Sequence, residues 1–204
     1  MILEHGIYTA ALAIIIAMLY EQYTKNNPVL VAGIIWFAVF IPDTDYIVSI
    51  IIESTTNLHI IEHGSFHNIL ALGLATVIFG FLITKIKKYR SSITLTAAMS
   101  CVCIGFLSHL AEDALVYKSA YPFLAPFSST IWQTGWIMYP KDLSIYGVLI
   151  GSKNVYAFGF MLVAGAILTR YTIQGTDWLI PYSDKFRFKK LCSMLGIINE
   201  EKVN

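Results

Sequence analysis

The chain has 204 residues, of which 56% are hydrophobic and only 13% charged, with a formal net charge of +1 and a mean hydropathy of +0.65. A soluble domain carries about 25% charged residues, so the composition excludes a compact water-soluble globule, and the near-neutral balance excludes a general basic field for nucleic acid. Long apolar runs are how bilayer-spanning helices read, and the expected fold is all-α: a polytopic membrane helix bundle with about five transmembrane segments.

The first apolar segment covers residues 6–20. Glu4 and His5 precede it, with no basic region and no small-residue cleavage site, so it reads as a retained helix and not a removed signal peptide. The second covers residues 29–41. Both are short of the roughly 20 residues a bilayer core requires. They must tilt, thin the bilayer, or extend through polar flanks that face protein. A short apolar piece at 47–52 either continues the second helix or lies at the interface. The third segment (66–84), the fourth (93–111) and the fifth (145–169, strongest from Val155) can reach spanning length.

Between the fourth and fifth segments, residues 117–139 include Tyr117, Tyr121, Phe123, Phe127, Trp132 and Trp136. Such aromatic density suits a membrane–water boundary or a loop that contacts substrate. Pro122 and Pro126 argue against one continuous helix there. Residues 182–204 form a polar basic tail with Lys185, Arg187, Lys189 and Lys190, leaving 1–181 as one membrane-embedded domain. Cys101, Cys103 and Cys192 compose neither a disulfide framework nor a Cys-x-x-Cys metal motif.

Basic loops set the expected orientation. Lys25 follows the first segment, Lys85, Lys87, Lys88 and Arg90 follow the third, and Arg170 and the tail follow the fifth. The positive-inside rule assigns all three places to the cytoplasm. One topology accommodates them: N-terminus outside, five crossings, C-terminus inside.

Ionisable residues beside membrane segments are costly and are functional candidates by default. On this topology His5, Asp43 and Asp45, His63 and His67, and His109 and Asp113 all fall at the outer ends of segments. His63 and His67 are four apart, as are His109 and Asp113, and on a helix each pair shares a face and can point at one ion. In Pro42-Asp43-Thr44-Asp45 the proline favours a loop, and in an extended loop residues two apart point the same way. The set suffices for two zinc ions. Each piece also has a plain reading: a chance His-x-x-x-His, a capping pair, turn chemistry at Pro-Asp, a polar N-terminal histidine. His59 reads as an interfacial histidine. Glu62 and Glu112 adjoin candidate ligands but point about 100° away on a helix, which makes them supporting or solvated groups.

These residues resemble the membrane-bound metal-dependent hydrolases, some of them described as LexA-regulated inner-membrane proteins. That family shows an N-terminal histidine, a Pro-Asp-x-Asp segment, a His-Arg-x-x-Thr-His-Ser type segment, and a Gly-x-x-Ser-His-x-x-x-Asp segment followed by a proline–aromatic stretch. The counterparts here are His5, Pro42-Asp43-Thr44-Asp45, His63-Gly64-Ser65-Phe66-His67, Gly105 to Asp113, and Tyr121 to Phe127. The likeness covers residues 1–127. Gly64 stands where the family has Arg, and the histidine spacing is four where the family has five. The His109-to-Asp113 segment is also distantly similar to zinc-dependent phospholipase C.

The resemblance implies a metal-dependent hydrolase at the outer membrane boundary, acting on a membrane lipid or lipid-linked phosphoester. His5, Asp43, His63, His67, His109 and Asp113 are the expected ligands of one or two zinc ions, or of another divalent metal. Asp45 is expected as a further ligand or as the catalytic general base. Aromatic residues after Asp113 would hold the acyl or isoprenoid part. The competing expectations are a metal-transporting or metal-binding membrane protein and a structural subunit with a satisfied polar cluster. No nucleic-acid partner is expected, and the oligomeric state stays open.

Overall fold

Inside a bilayer a backbone must satisfy its own N–H and C=O groups, and a helix does this within one segment. The computed structural model of the chain describes residues 2–24, 26–56, 64–87, 89–116, 121–131 and 153–179, and these residues contain helices and no strand. The helices are α1 (Ile2–Tyr23), α2 (Pro28–Ala38), α3 (Thr44–Thr56), α4 (Ile69–Lys85), α5 (Leu95–Val116) and α6 (Lys153–Gln174), followed by a 3-10 turn at Asp177–Leu179. Three of them, α1, α5 and α6, are long and apolar enough to cross a membrane, while α2 and α4 are shorter apolar helices. The expected helical membrane bundle is therefore the fold observed.

Differences from the expected segments have local causes. Asn27 caps α2 by accepting from the N–H groups of Val29 and Leu30, and Pro28 occupies the first turn, where its missing donor costs nothing. Asn68 caps α4 through the N–H of Ala71, so this helix starts at Ile69 and not at 66. At 17 residues, α4 rises about 25 Å, short of a full bilayer core. The apolar piece 47–52 neither extends α2 nor lacks helical form: turns at 39–43 separate it, and it belongs to α3. Residues 121–131 contain no helix, as the prolines predicted. Residues 132–152 and 180–204 lie outside the described residues, and with them Trp132, Trp136 and the basic tail.

The bundle centres on α5, which packs against α1, α2 and α4, while α6 packs on α1. Val31, Ile35, Ala98, Cys101, Val102 and Phe106 form much of its core. Gly105 sets the closest approach: a Cβ there would meet the Ile35 carbonyl oxygen at 2.3 Å. Small residues at such crossings let helix backbones touch, which is how apolar helices gain dispersion contacts in lipid.

Successive apolar helices alternate in direction, so the bundle has two distinct ends. One end gathers the start of α1, the turns at 39–43, the turn at 64–68 and the last turns of α5. The other gathers Lys85, Lys87 and Arg90 around the α4–α5 connection, which is tied to the α1–α2 connection by the Asn27 N–H to Ser92 carbonyl bond of 2.9 Å. Arg170 is fully buried at this second end. It pairs with Glu21, donates to Gln174 at 2.8 Å and lies over the Trp178 ring.

Candidate metal centre

Each ligand candidate reaches the first end from a different element. His5 sits in the first turn of α1, Asp43 in the turn after α2, His67 in the turn before α4, and His109 and Asp113 one helical turn apart near the end of α5. All but Asp43 are buried, and Asp43 keeps an exposed edge, 13% of its side chain.

The turn holding His67 depends on glycine. Gly64 has φ +101°, where a side chain is strained, and a Cβ on it would lie 2.3 Å from the Tyr121 ring. Its N–H and that of Phe66 both donate to Asp45 Oδ2, at 2.8 and 3.2 Å. This anchors the turn to the first turn of α3. Gly64, which departs from the resembled family's Arg, is thus required by this turn. The helix expected at His67 does not form there, because residues 64–68 are turns and bends. His63, His59 and Glu62 lie outside the described residues.

Three imidazoles are oriented alike. His5 Nδ1 faces Glu112 Oε2 at 2.9 Å, His67 Nδ1 faces Asp45 Oδ2 at 3.3 Å, and His109 Nδ1 faces the Val39 carbonyl at 2.8 Å. Val39 ends α2, so its carbonyl has no helical donor and is free to accept. A backbone carbonyl only accepts, so His109 carries its proton on Nδ1 and turns its Nε2 lone pair inward, while the His5 and His67 rings face a carboxylate on either side. The Nε2 atoms of His67 and His109 approach to 3.0 Å, and the His5 ring stacks on His109 with centroids 3.9 Å apart. At 3.0 Å either His67 Nε2–H donates to the His109 lone pair or a cation lies between the two nitrogens.

Carboxylates close the ring. Asp43 Oδ1 lies 3.6 Å from both His67 Nε2 and His109 Nε2. Asp113 Oδ2 lies 3.6 and 3.5 Å from the same two nitrogens, and its Oδ1 is 3.5 Å from His5 Nε2. Ligands 2.0–2.1 Å from one tetrahedral zinc stand about 3.3 Å apart, close to these spacings. Two groups emerge whose ligand atoms all lie within 4.8 Å of one another: His5, His109 and Asp113, and Asp43, His67 and His109. They share His109, and its single inward nitrogen can serve one ion.

Burial pushes the Asp43 carboxyl up, but the facing His67 and the positive potential of His109 and His5 outweigh it and hold the group down at about 2. Burial likewise pushes His67 down, and here Asp43 and Asp45 win, raising it to about 9. The Tyr121 phenol is pushed up to about 12, by burial first and then by Asp113, Asp45 and Asp43.

Asp45 lies apart from where an extended loop would put it. Asp43 and Asp45 grip opposite nitrogens of His67, one from a turn and one from the start of α3, so they do not project together toward one ion. Glu112 supports His5 from behind, as a neighbour 100° around α5 can. Two participants carried little sequence signal. The Val39 carbonyl is invisible to residue type, and Tyr121, whose ring centroid is 4.4 Å from that of His67, stood out only as part of an aromatic stretch.

A family model described as YdjM inner membrane protein matches residues 1–175 of the chain. The chain belongs to this family of inner membrane proteins. The match extends past the motifs, which end at 127, to the residue after α6. The family's description names the membrane and no reaction. No curated protein and no solved structure matches the chain.

Proposed function

We propose that this protein is a membrane-embedded metal-dependent hydrolase that cleaves a lipid or lipid-linked phosphoester at the extracytoplasmic face of the membrane. One observation carries the reading: the inward Nε2 atoms of His67 and His109 meet at 3.0 Å, with carboxylates of Asp43 and Asp113 at 3.5–3.6 Å around them. A structural polar cluster would pair donors with acceptors. This one gathers imidazole nitrogens and carboxylates within ligand spacing of one another, the set a divalent cation takes.

His67, His109, Asp43 and Asp113 would hold the ion, and His5 would join through its approach to Asp113. Imidazole and carboxylate donors at these spacings suit zinc, and another divalent metal can substitute. A bound zinc ion would supply an activated water near neutral pH and offset charge on a phosphoryl oxygen. Asp45, Glu112 and the Val39 carbonyl face the three Nδ1 atoms, which fixes each ring's angle. Asp45 thus becomes a positioning residue, not a ligand or general base. Substrate would enter beside Asp43, the least buried of the acidic members. The basic residues Lys85, Lys87, Arg90 and Arg170 at the opposite end support the orientation, by the positive-inside rule.

A transporter of metal ions is the competing reading. Its site would lie near the middle of the helices, whereas these ligands sit at helix ends. Metal content of the detergent-purified chain by plasma mass spectrometry is the first test, beside a His109→Ala, Asp113→Ala double variant. About one zinc per chain, lost in a folded double variant, is expected, together with zinc-dependent release of phosphate or alcohol from lipid phosphoesters. Absence of metal after zinc reconstitution sinks the hydrolase. Bound metal that drives flux into vesicles without hydrolysis turns the reading to transport.

A further inference from the structure

Both α2 and α4 pack on α5, and the gap left between them is a cleft of about 680 Å³. That volume falls within the range of ligand pockets, roughly 300–1,000 Å³. Its walls are apolar: Ile34, Phe37 and Ile41 on one side, Phe79 and Ile83 on the other, Val102 at the floor. Phe37 and Phe79 are exposed along its mouth, so the cleft opens on the surface that faces lipid. Val29 and Tyr89 mark one end. The other end is Ile41, and the next residues are Pro42 and the candidate ligand Asp43. From Val29 to Ala38 the cleft follows about 13 Å of α2 at 1.5 Å per residue.

Gly33 lies on the mouth, and a Cβ there would meet no heavy atom within 4 Å. The helix geometry does not require glycine at this position, and glycine lowers helix stability. Its absent side chain leaves the cleft open. Apart from Tyr89 at one end, the side chains that line it offer water no polar partner.

We infer that the cleft holds one hydrocarbon chain of a membrane lipid whose polar head lies at the histidine–aspartate centre. The chemistry of that head, a phosphoester, rests on the hydrolase reading above, while occupancy of the cleft does not. The chain-binding element is then the α2–α4 gap, and not the aromatic residues after Asp113. The last lining residue beyond α2, Ile41, precedes Asp43 by two residues in the chain, so a chain seated in the cleft would bring its head toward the part-exposed Asp43.

The test uses the full chain in phosphatidylethanolamine–phosphatidylglycerol vesicles doped with a phosphatidylglycerol that carries a diazirine in mid-chain. After illumination, adducts are mapped by peptide mass spectrometry. The expected result is labelling concentrated on residues 29–41 and 79–83, above that of the exposed α6 residues Phe160, Met161 and Leu168. Gly33→Phe should remove the excess. Gly165→Phe, on α6, where an added side chain also meets nothing within 4 Å, should leave it unchanged. Uniform labelling of all lipid-facing helices, indifferent to Gly33→Phe, overturns the inference. So does a cleft that stays unlabelled while α6 reacts, since another stretch of protein would then cover it. Zinc content and turnover of a water-soluble phosphoester are read on the same samples. Their absence with cleft labelling intact would refute the hydrolase and leave the lipid site standing. Loss of labelling with both intact would do the reverse.

Discussion

The two ends of the bundle bury charge in opposite ways. At one end Arg170, fully buried, finds a partner for each of its faces: the Glu21 carboxylate, the Gln174 amide oxygen, the Ile14 carbonyl and the Trp178 ring. Donors and acceptors match, so nothing further is needed there, and the contact clamps the last turns of α1 and α6 together. At the other end three imidazoles and two carboxylates form two overlapping groups that share His109. Behind them Glu112, Asp45 and the Val39 carbonyl face the three Nδ1 atoms. A satisfied cluster stabilises a fold. Imidazoles and carboxylates at these spacings could hold a cation, and this difference separates the two ends more sharply than burial does.

Substitutions at both ends sharpen this contrast. The largest effect is expected from His109→Ala, because His109 belongs to both ligand groups. Bound zinc should disappear at all concentrations that load the parent, whereas His5→Ala, which leaves Asp43, His67 and His109 intact, should retain a weakened site. Equal losses from both would show that the cluster acts as one indivisible centre. Metal content by mass spectrometry after dialysis against graded zinc reads the difference.

Next comes Arg170→Ala at the clamped end. Glu21 keeps 30% of its side chain exposed, so the cost comes from the lost hydrogen bonds and packing of Arg170, and a loss of about 2 kcal/mol in unfolding free energy is expected, measured by denaturant titration in detergent. Zinc affinity of the folded fraction should not move. A parallel fall in affinity would mean that the two ends are coupled through α1.

A smaller effect should follow from Asp45→Asn and Glu112→Gln, which keep shape but weaken the hold on His67 and His5. Supporting groups of this kind cost roughly 10–100-fold in metal affinity when changed, so a zinc titration should shift by that factor with stability nearly unchanged. A complete loss on Asp45→Asn would instead make Asp45 a ligand. Smallest of all is Thr9→Val, one turn of α1 from His5. Thr9 Oγ1 and Ser108 Oγ are 2.7 Å apart, and losing that bond should cost about 1 kcal/mol of stability with no change in zinc binding.

Sequence reading reached the fold class because composition decides it: a chain with this little charge has no surface to offer water, and helices are the economical solution in lipid. It also singled out His5, Asp43, His67, His109 and Asp113, which meet at the candidate centre, since ionisable groups beside apolar runs are rare enough to notice. His109 and Asp113 lie on one face of α5 by helical period alone, as expected. What periodicity could not supply was the conformation of the connections. His67 was assigned to a helix, yet Asn68 caps α4 one residue later and Gly64 turns the chain before it. Asp43 and Asp45 were read as partners in a loop, yet a turn and a helix start send them to opposite nitrogens of the same ring.

The amino-acid sequence by itself therefore determined the solvent, the helices and the roster of polar residues at one end, because those follow from local hydropathy and from spacing within single segments. Tertiary structure alone decided the division of labour among them. Which carboxylate faces the centre and which stands behind a histidine depends on Val39, Gly64 and Tyr121, groups brought in from other helices and turns. No pattern along one segment encodes a contact whose two halves are 70 or more residues apart, as in the His109–Val39 bond, and it is that contact which turns the His109 lone pair inward.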